Sequence, residues 1–360
     1  MTVIEQQRLE VARNRPSQYR CSEATLAEPA AGEALLQIER FGLSANNVTY
    51  AALGDALHYA NFFPCEQAGG EWSMLPIWGV ARVQQSRSEW VRVGDLVYGF
   101  FPSASHCILR PQAATTDGFR VQRPGIPEAF GFYHRYSVAG RDPLFADEQI
   151  DRMVVLRPLF MTSLLLADYL QDPRFAEAEQ LVFSSAASKT ALGAAYTFAD
   201  DGRQPLVGLG SSRSHQQANE FGGYQRLLDY SALAQIEQRP TVYVDFSGDV
   251  GVRDRLAEHL GEALLRVVSI GMTHWQNGAM GKPRGSYASE VFFAPGWAAE
   301  RGRSDPRFPA RMFAGWQQLL GHASQHFPVL QQEGIEAISE HFAALVAGCA
   351  ESGPIHTFRF

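Results

Sequence analysis

Apolar and polar residues alternate through positions 34–39 (ALLQIE), a period of two that predicts a half-buried strand. The run breaks after Gly42 into a small polar segment, Ser44, Ala45, Asn46 and Asn47. Two more strands are predicted at 76–84 and 96–101, separated by a turn at Val93, Gly94 and Asp95. Positions 1–30 carry charges inside their apolar pattern and read as a charged lead-in followed by a loop-like piece. The first part of the chain thus predicts β structure with little helix, followed at 131–143 (GFYHRYSVAGRDP) by a loop rich in aromatics and cations.

From position 181 the pattern changes to short apolar runs followed by helix-forming segments. Runs at 181–183, 205–210, 226–230, 241–248 and 264–274 read as strands; 190–199, 214–221 and 252–260 read as helices. Such alternation requires a parallel, doubly wound sheet. Ahead of it, 152–170 reads as a short strand or turn and then a Leu-rich helix, with Thr162 and Ser163 as hydroxyls near its start. After it come a Gly-rich loop at 276–295, amphipathic helices at 313–326 and 335–346, and a terminal strand IHTFRF.

At 360 residues the chain is long enough for two domains, each with its own core. A formal charge of −7 argues against general binding to nucleic acid or anionic membranes. No apolar run reaches the ~18 residues that span a bilayer, and the N-terminus lacks a signal-peptide core, so a cytoplasmic location is expected. Cys21, Cys65, Cys107 and Cys349 are far apart and form no zinc-binding spacing, so no metal is expected.

The stretch 181–193 (LVFSSAASKTALG) concentrates the candidate chemistry. A diphosphate at a helix N-terminus needs free N–H donors and small side chains that let the backbone approach. Ser184, Ser185, Ala186, Ala187 and Ser188 meet that demand without glycine, and Lys189 and Thr190 add a cation and a hydroxyl. The glycines of a Walker motif are missing. A purely structural strand-to-helix turn is the other reading of this string. The second strand is followed by Ser211, Ser212 and Arg213 with no carboxylate, which favours NADP(H) over NAD. Ser247, Gly248, Gly271, Met272 and Thr273 fall at carboxyl ends of later strands, where ribose and nicotinamide would lie, with Asp245 just before that edge. Tyr133, His134 and Tyr136 are candidates to reach a substrate, and each is also explained as a packed loop residue.

GEALLQI, GLSANN, PIWGVARV and VRVGDLVYGF, together with the turn LVFSSAASKTALG, resemble the medium-chain dehydrogenase/reductase superfamily. Within it, LRPLFMTS, SSAASKTALG, VDFSGDVGVRDRL and FFAPGW resemble a domain-of-unknown-function branch. The resemblance implies an α/β protein: a GroES-like β-rich catalytic domain over 1–155, a doubly wound Rossmann domain over 156–285, and a return over 286–360 that completes the catalytic domain. Zinc-dependent members carry a Cys where this chain has Ser44-Ala45, and Gly-His-Glu where it has Trp78-Gly79-Val80. The zinc-free quinone oxidoreductase and enoyl reductase branches are therefore the better comparison. The resemblance further implies Tyr50, Asn46 and Asn47 at the reacting group. Thr162 approaches the nicotinamide or else caps a buried helix, and Tyr230 lies beside adenine or phosphate or else is a packed strand-end residue. The expected activity is zinc-independent, NADPH-dependent reduction of an activated C=C or C=O bond in a small apolar substrate, by a homodimer. Lyase or isomerase chemistry with bound nucleotide, or a non-catalytic NADPH sensor, are the alternatives on the same scaffold.

Overall fold

The computed structural model describes residues 3–65, 70–201, 204–270, 287–351 and 353–360. Two compact units emerge: Met1–Arg157 with Phe327–Phe360, and Pro158–His326. The first begins with β1 (Ile4–Ala12), β2 (Arg15–Leu26), β3 (Ala34–Gly42), α1 (Ala45–Ala52) and β4 (Trp72–Met74). It continues with β5 (Pro76–Ser86), β6 (Leu96–Pro102), β7 (His106–Leu109), β8 (Ala113–Ala114), β9 (Gly118–Arg120), β10 (Arg135–Val138) and the start of α2 (Ile150–Tyr169). The second unit holds β11 (Gln180–Phe183), α3 (Lys189–Asp201), β12 (Leu206–Gly210), α4 (Ser212–Phe221), β13 (Arg226–Asp229) and β14 (Thr241–Asp245). α5 (Val250–Leu260), β15 (Leu264–Ile270), β16 (Ala288–Phe292), α6 (Ala294–Ser304) and α7 (Phe308–His326) complete it. The chain then returns to the first unit as β17 (Val329–Glu333), α8 (Ile335–Val346) and β18 (Ile355–Arg359).

In the first unit β2, β1 and β4 form a three-stranded sheet, and a nine-stranded sheet runs β17-β18-β3-β5-β6-β10-β9-β8 with β7 on β3. The expected charged lead-in is in fact the β1–β2 hairpin. Its charges are absorbed across the pair: buried Glu10 accepts from Ser22 Oγ at 2.7 Å and Arg20 Nε at 2.8 Å. Burial raises the Glu10 pKa, but these bonds outweigh it and the net direction is down. The β5 and β6 predictions hold, and Gly94 takes a left-handed φ of 91° in the turn between them. Gly99 of β6 lies so close under the Tyr136 ring that any Cβ there would collide with it.

Six parallel strands build the second unit in the order β13-β12-β11-β14-β15-β16. The chain starts inside the sheet at β11, moves outward through β12 and β13, then crosses back to β14. Strand order therefore reverses between β11 and β14, and loops at their carboxyl ends diverge there. Along α3 the buried face is Ala191, Ala194, Ala195 and Phe198, small enough to bring the helix close to the sheet. Three expectations are corrected. β16 is a sixth parallel strand where a returning loop is expected, and it pairs with β15 from Arg266↔Ala288 to Ile270↔Phe292. The return to the first unit begins at Phe327 rather than 286, because α6 and α7 belong to the second unit. Nor is there a strand at the start of 152–170: α2 is one helix that runs through Pro158. No described helix is long and apolar enough to cross a membrane.

Two histidines of the first unit are expected to make its stability depend on acid. Burial pushes His134 and His341 down to about 4, aided at His134 by the Arg123 and Arg120 guanidiniums, against the pull of Glu128, and at His341 by His356. Each has a buried Nε2 with no hydrogen-bond partner. An unfolded chain takes up protons near the ordinary value of about 6.5 while the folded chain does not. Stability is therefore full above about pH 6.5 and declines as pH falls toward 4. The urea midpoint is expected to drop across this window, with a shallower decline in His341→Gln; equal slopes in the two proteins would contradict it.

Candidate functional site

At the carboxyl end of β11 the turn through Ser184, Ser185, Ala186, Ala187 and Ser188 leads into α3. Ser185 sits at φ 47°, a left-handed value that a glycine would adopt without cost. Side chains hold it there instead. Ser185 N–H donates to the Tyr230 hydroxyl at 2.8 Å, and its carbonyl accepts from Ser188 N at 2.8 Å. Ser184 Oγ donates to Asp245 Oδ1 at 2.9 Å and accepts from Phe246 N and Ser247 N. Ser188 Oγ accepts from Ala191 N at 3.3 Å, as a helix N-cap does. The N–H groups of Ala187 and Thr190 have no partner among the described residues. The turn therefore presents small side chains, two unpaired donors and Lys189, whose ammonium burial pulls down to about 8.

Some predicted contacts are spent within the fold. Ser185 N–H is taken by Tyr230, so it is not a donor for phosphate. Ser247 Oγ donates to Asp245 Oδ1 at 2.9 Å and accepts from Asp249 N, and Gly248 N also donates to Asp245 Oδ1. Thr162 lies within α2 rather than at a helix start and donates to Pro158 O at 3.0 Å. Gly271, Met272 and Thr273 lie outside the described residues.

At the carboxyl end of β12, Ser211 is the N-cap residue before α4, Arg213 is exposed, and no carboxylate pairs with Arg213 among the described residues. The expectation that no acid lies here is corrected. Asp229 is opposite Gly210 in the β12–β13 register, and its Oδ1 accepts from Ser212 Oγ at 2.8 Å. A scan along the sequence after β12 does not reach it, because it arrives from the neighbouring strand.

In the first unit, α1 carries Asn46, Asn47 and Tyr50. Asn47 is structural: its Oδ1 accepts from Ser44 N and its Nδ2 donates to Pro76 O, both at 2.9 Å. Tyr50 is different. Its buried oxygen accepts from Asn46 Nδ2 at 2.7 Å and Trp78 Nε1 at 3.1 Å, which leaves the phenolic proton to be donated elsewhere. Burial, reinforced by Tyr133, holds the Tyr50 pKa well above its ordinary value. The group is a neutral donor.

Aromatic rings surround it. Tyr50 is 4.5 Å from Tyr59 and 5.4 Å from Phe100 between ring centroids, and Phe100 lies 5.1 Å from Trp78 and 4.8 Å from Tyr133. The Tyr59 and Tyr133 hydroxyls are 3.1 Å apart. Phe132 covers Trp78 at 5.6 Å and is 48% exposed, so one side of the cluster opens to solvent. Of the predicted substrate trio, Tyr133 belongs to this cluster and His134 is buried against Phe62. Tyr136 is a correction: it is packed in the core on Phe119, donates to Phe100 O and accepts from Arg123, so it cannot reach a substrate. Sequence reasoning missed Tyr59, Trp78 and Phe100. The only sequence signal for Trp78 is the departure at Trp78-Gly79-Val80 from the pattern of the zinc-dependent enzymes that the chain resembles. Among the described residues no group of three or more His, Cys, Asp or Glu side chains is placed to hold a metal ion.

A family model described as "Protein of unknown function (DUF2855)" matches residues 41–351. The chain belongs to the DUF2855 family. No curated protein sequence matches this DUF2855 chain. Its fold is similar to that of CurA from Vibrio vulnificus in complex with NADPH, with TM-score 0.66, 15% identity and coverage of 98% of both chains. A putative NADPH:quinone reductase from Mesorhizobium loti is similar over 100% of both chains, with TM-score 0.60 and 10% identity. A quinone oxidoreductase from Pseudomonas syringae pv. tomato covers 98% of this chain and 99% of its own, with TM-score 0.57 and 15% identity. The DUF2855 chain therefore shares the α/β fold of these proteins.

Proposed function

We propose that this protein is a zinc-independent, NADPH-dependent oxidoreductase that reduces an activated C=C or C=O bond of a small apolar substrate. The finer fold reading, a GroES-like catalytic domain with a Rossmann domain, goes with it. One observation carries the reading: Tyr50, a buried phenol whose oxygen already accepts two hydrogen bonds, has its proton left for an acceptor oxygen. The substrate's apolar body would lie against Phe132 and Tyr133, the members of the cluster around Tyr50 that are not buried.

The second unit's residues fit a nicotinamide dinucleotide. Ala187 N–H, Thr190 N–H and Lys189 would hold the diphosphate at the start of α3. Ser211, Ser212 and Arg213 would hold the 2′-phosphate through charge-assisted bonds. Bound NADPH supplies the hydride; the chain supplies binding, orientation and a hydrogen-bond donor for the oxygen that gains charge.

Asp229 supports a second reading, NADH, because a carboxylate here suits an unphosphorylated ribose. Titration of both cofactors separates the two. Arg213→Ala is expected to weaken NADPH about tenfold, a loss of about 1.4 kcal/mol, and leave NADH unchanged. Tighter binding of NADH than NADPH to the native protein would replace NADPH with NADH. Absence of binding to either at millimolar concentration would end the oxidoreductase proposal. A panel of enones, quinones and aldehydes then identifies the reducible group.

A further inference from the structure

We propose that Asp245 binds the ligand directly, its Oδ2 accepting a hydrogen bond from a hydroxyl of the nicotinamide-side ribose; the assignment rests on the dinucleotide reading above. The two oxygens of this carboxylate are used unequally. Oδ1 accepts from Ser184 Oγ, Tyr243 OH, Ser247 N, Ser247 Oγ and Gly248 N, at 2.9 to 3.2 Å. Oδ2 accepts from none of the described residues, and no Lys or Arg pairs with Asp245 among them. The residue is 3% exposed. The fold therefore leaves Oδ2 without a donor among the described residues, and a hydroxyl that donates to it makes a charge-assisted bond.

The position of Asp245 selects what that group is. It ends β14, beside β11, where the strand order reverses and where ligands of open α/β sheets sit. Across that point the demands are opposite. The β11 side offers N–H groups and an ammonium and so takes phosphate; the β14 side offers a bare acceptor, which repels phosphate and takes a hydroxyl. A dinucleotide presents both, diphosphate next to ribose. The adenosine side is already assigned to the ends of β12 and β13, which lie on the other flank of β11. The ribose that reaches β14 is therefore the one bearing nicotinamide.

The test compares three probes: NADPH, an NADPH analogue lacking both hydroxyls of the nicotinamide-side ribose, and adenosine 2′,5′-bisphosphate, which has no such ribose. Affinities are measured by calorimetry for the native protein and Asp245→Asn. The amide keeps an acceptor for the five donors and puts an N–H group where Oδ2 stood. Native protein is expected to bind the dideoxy analogue about tenfold or more weakly than NADPH, the loss typical of a hydrogen bond to a charged acceptor. In the variant the two dinucleotides bind alike, and the bisphosphate binds both proteins equally. Equal affinity of native protein for NADPH and the dideoxy analogue would overturn the assignment without touching the dinucleotide reading. So would a parallel loss of all three probes in the variant, which would make Asp245 only a brace for the turn. If native protein bound neither NADPH nor the bisphosphate, the dinucleotide reading would fail and this assignment with it.

Discussion

Tyr50→Phe is expected to lower kcat about 100- to 1,000-fold, the usual cost of deleting one donor to a developing oxyanion. The ring stays, so its packing on Tyr59 and Phe100 and the fold should survive. NADPH affinity should not change, because the contacts proposed for the dinucleotide come from Ala187, Lys189, Thr190, Ser211, Ser212 and Arg213 and none of them uses the Tyr50 hydroxyl. The variant does leave Asn46 Nδ2 and Trp78 Nε1 without their acceptor, so some stability is lost as well. Asn46→Ala and Trp78→Phe each remove one bond to the Tyr50 oxygen while its proton remains, and are expected to cost far less than Tyr50→Phe. The pH profile provides a second check. With its pKa held above the ordinary phenol value, Tyr50 stays protonated through pH 10, so it contributes no alkaline limb to kcat. Steady-state kinetics with any substrate found by the panel would decide the matter. A Tyr50→Phe enzyme that keeps its native kcat would remove Tyr50 from the chemistry.

The parts of the fold that were legible in the sequence are those where one physical rule acts alone. β11, β12 and β14 are buried on both faces and read as short apolar runs, each closed by small or polar residues. The first hairpin escaped because its buried Gln6 and Glu10 break the alternation, and the partners that make Glu10 tolerable come from β2. β16 escaped for a related reason: as an edge strand with Val291 56% exposed it lacks a buried apolar run, and its register comes from β15.

The candidate site divides the same way. The turn at 184–190 is local, so its small side chains and cation could be read directly. Whether each N–H is available depends on residues 45 and 61 positions away: Tyr230 takes Ser185 N–H, and Asp245 fixes Ser184. The Asn46, Asn47 and Tyr50 set shows the limit most clearly. Three polar residues on one segment looked equivalent, yet Asn47 is turned to Pro76 and braces the helix, while Asn46 and Tyr50 bond each other. Side-chain direction on a helix separates them, and it depends on which strand the helix covers.

Lys189 should make nucleotide binding pH-dependent in a range where few other groups titrate. Burial at the start of α3 lowers it to about 8 in the free protein. A phosphate beside it favours the ammonium and raises that value in the complex. Below about pH 8 free and bound protein both carry the charge, and affinity is flat. Above it the free protein must take up a proton to bind, so NADPH affinity falls by up to about tenfold per pH unit until the bound-state pKa is passed. The 2′-phosphate has its second pKa near 6 and is already dianionic throughout this window. In Lys189→Met the slope between about pH 8 and 9.5 should vanish, leaving the weaker affinity of the uncharged site. Lys189→Glu places an acid against the diphosphate and should cost about 100-fold or more at pH 7, since an attraction is lost and a repulsion gained at the α3 N-terminus. Fluorescence titration of NADPH across this pH range measures all three proteins. A native affinity that stays constant to pH 9.5, with Lys189→Glu binding as the native protein does, would place Lys189 away from the phosphates and return the turn to a structural role.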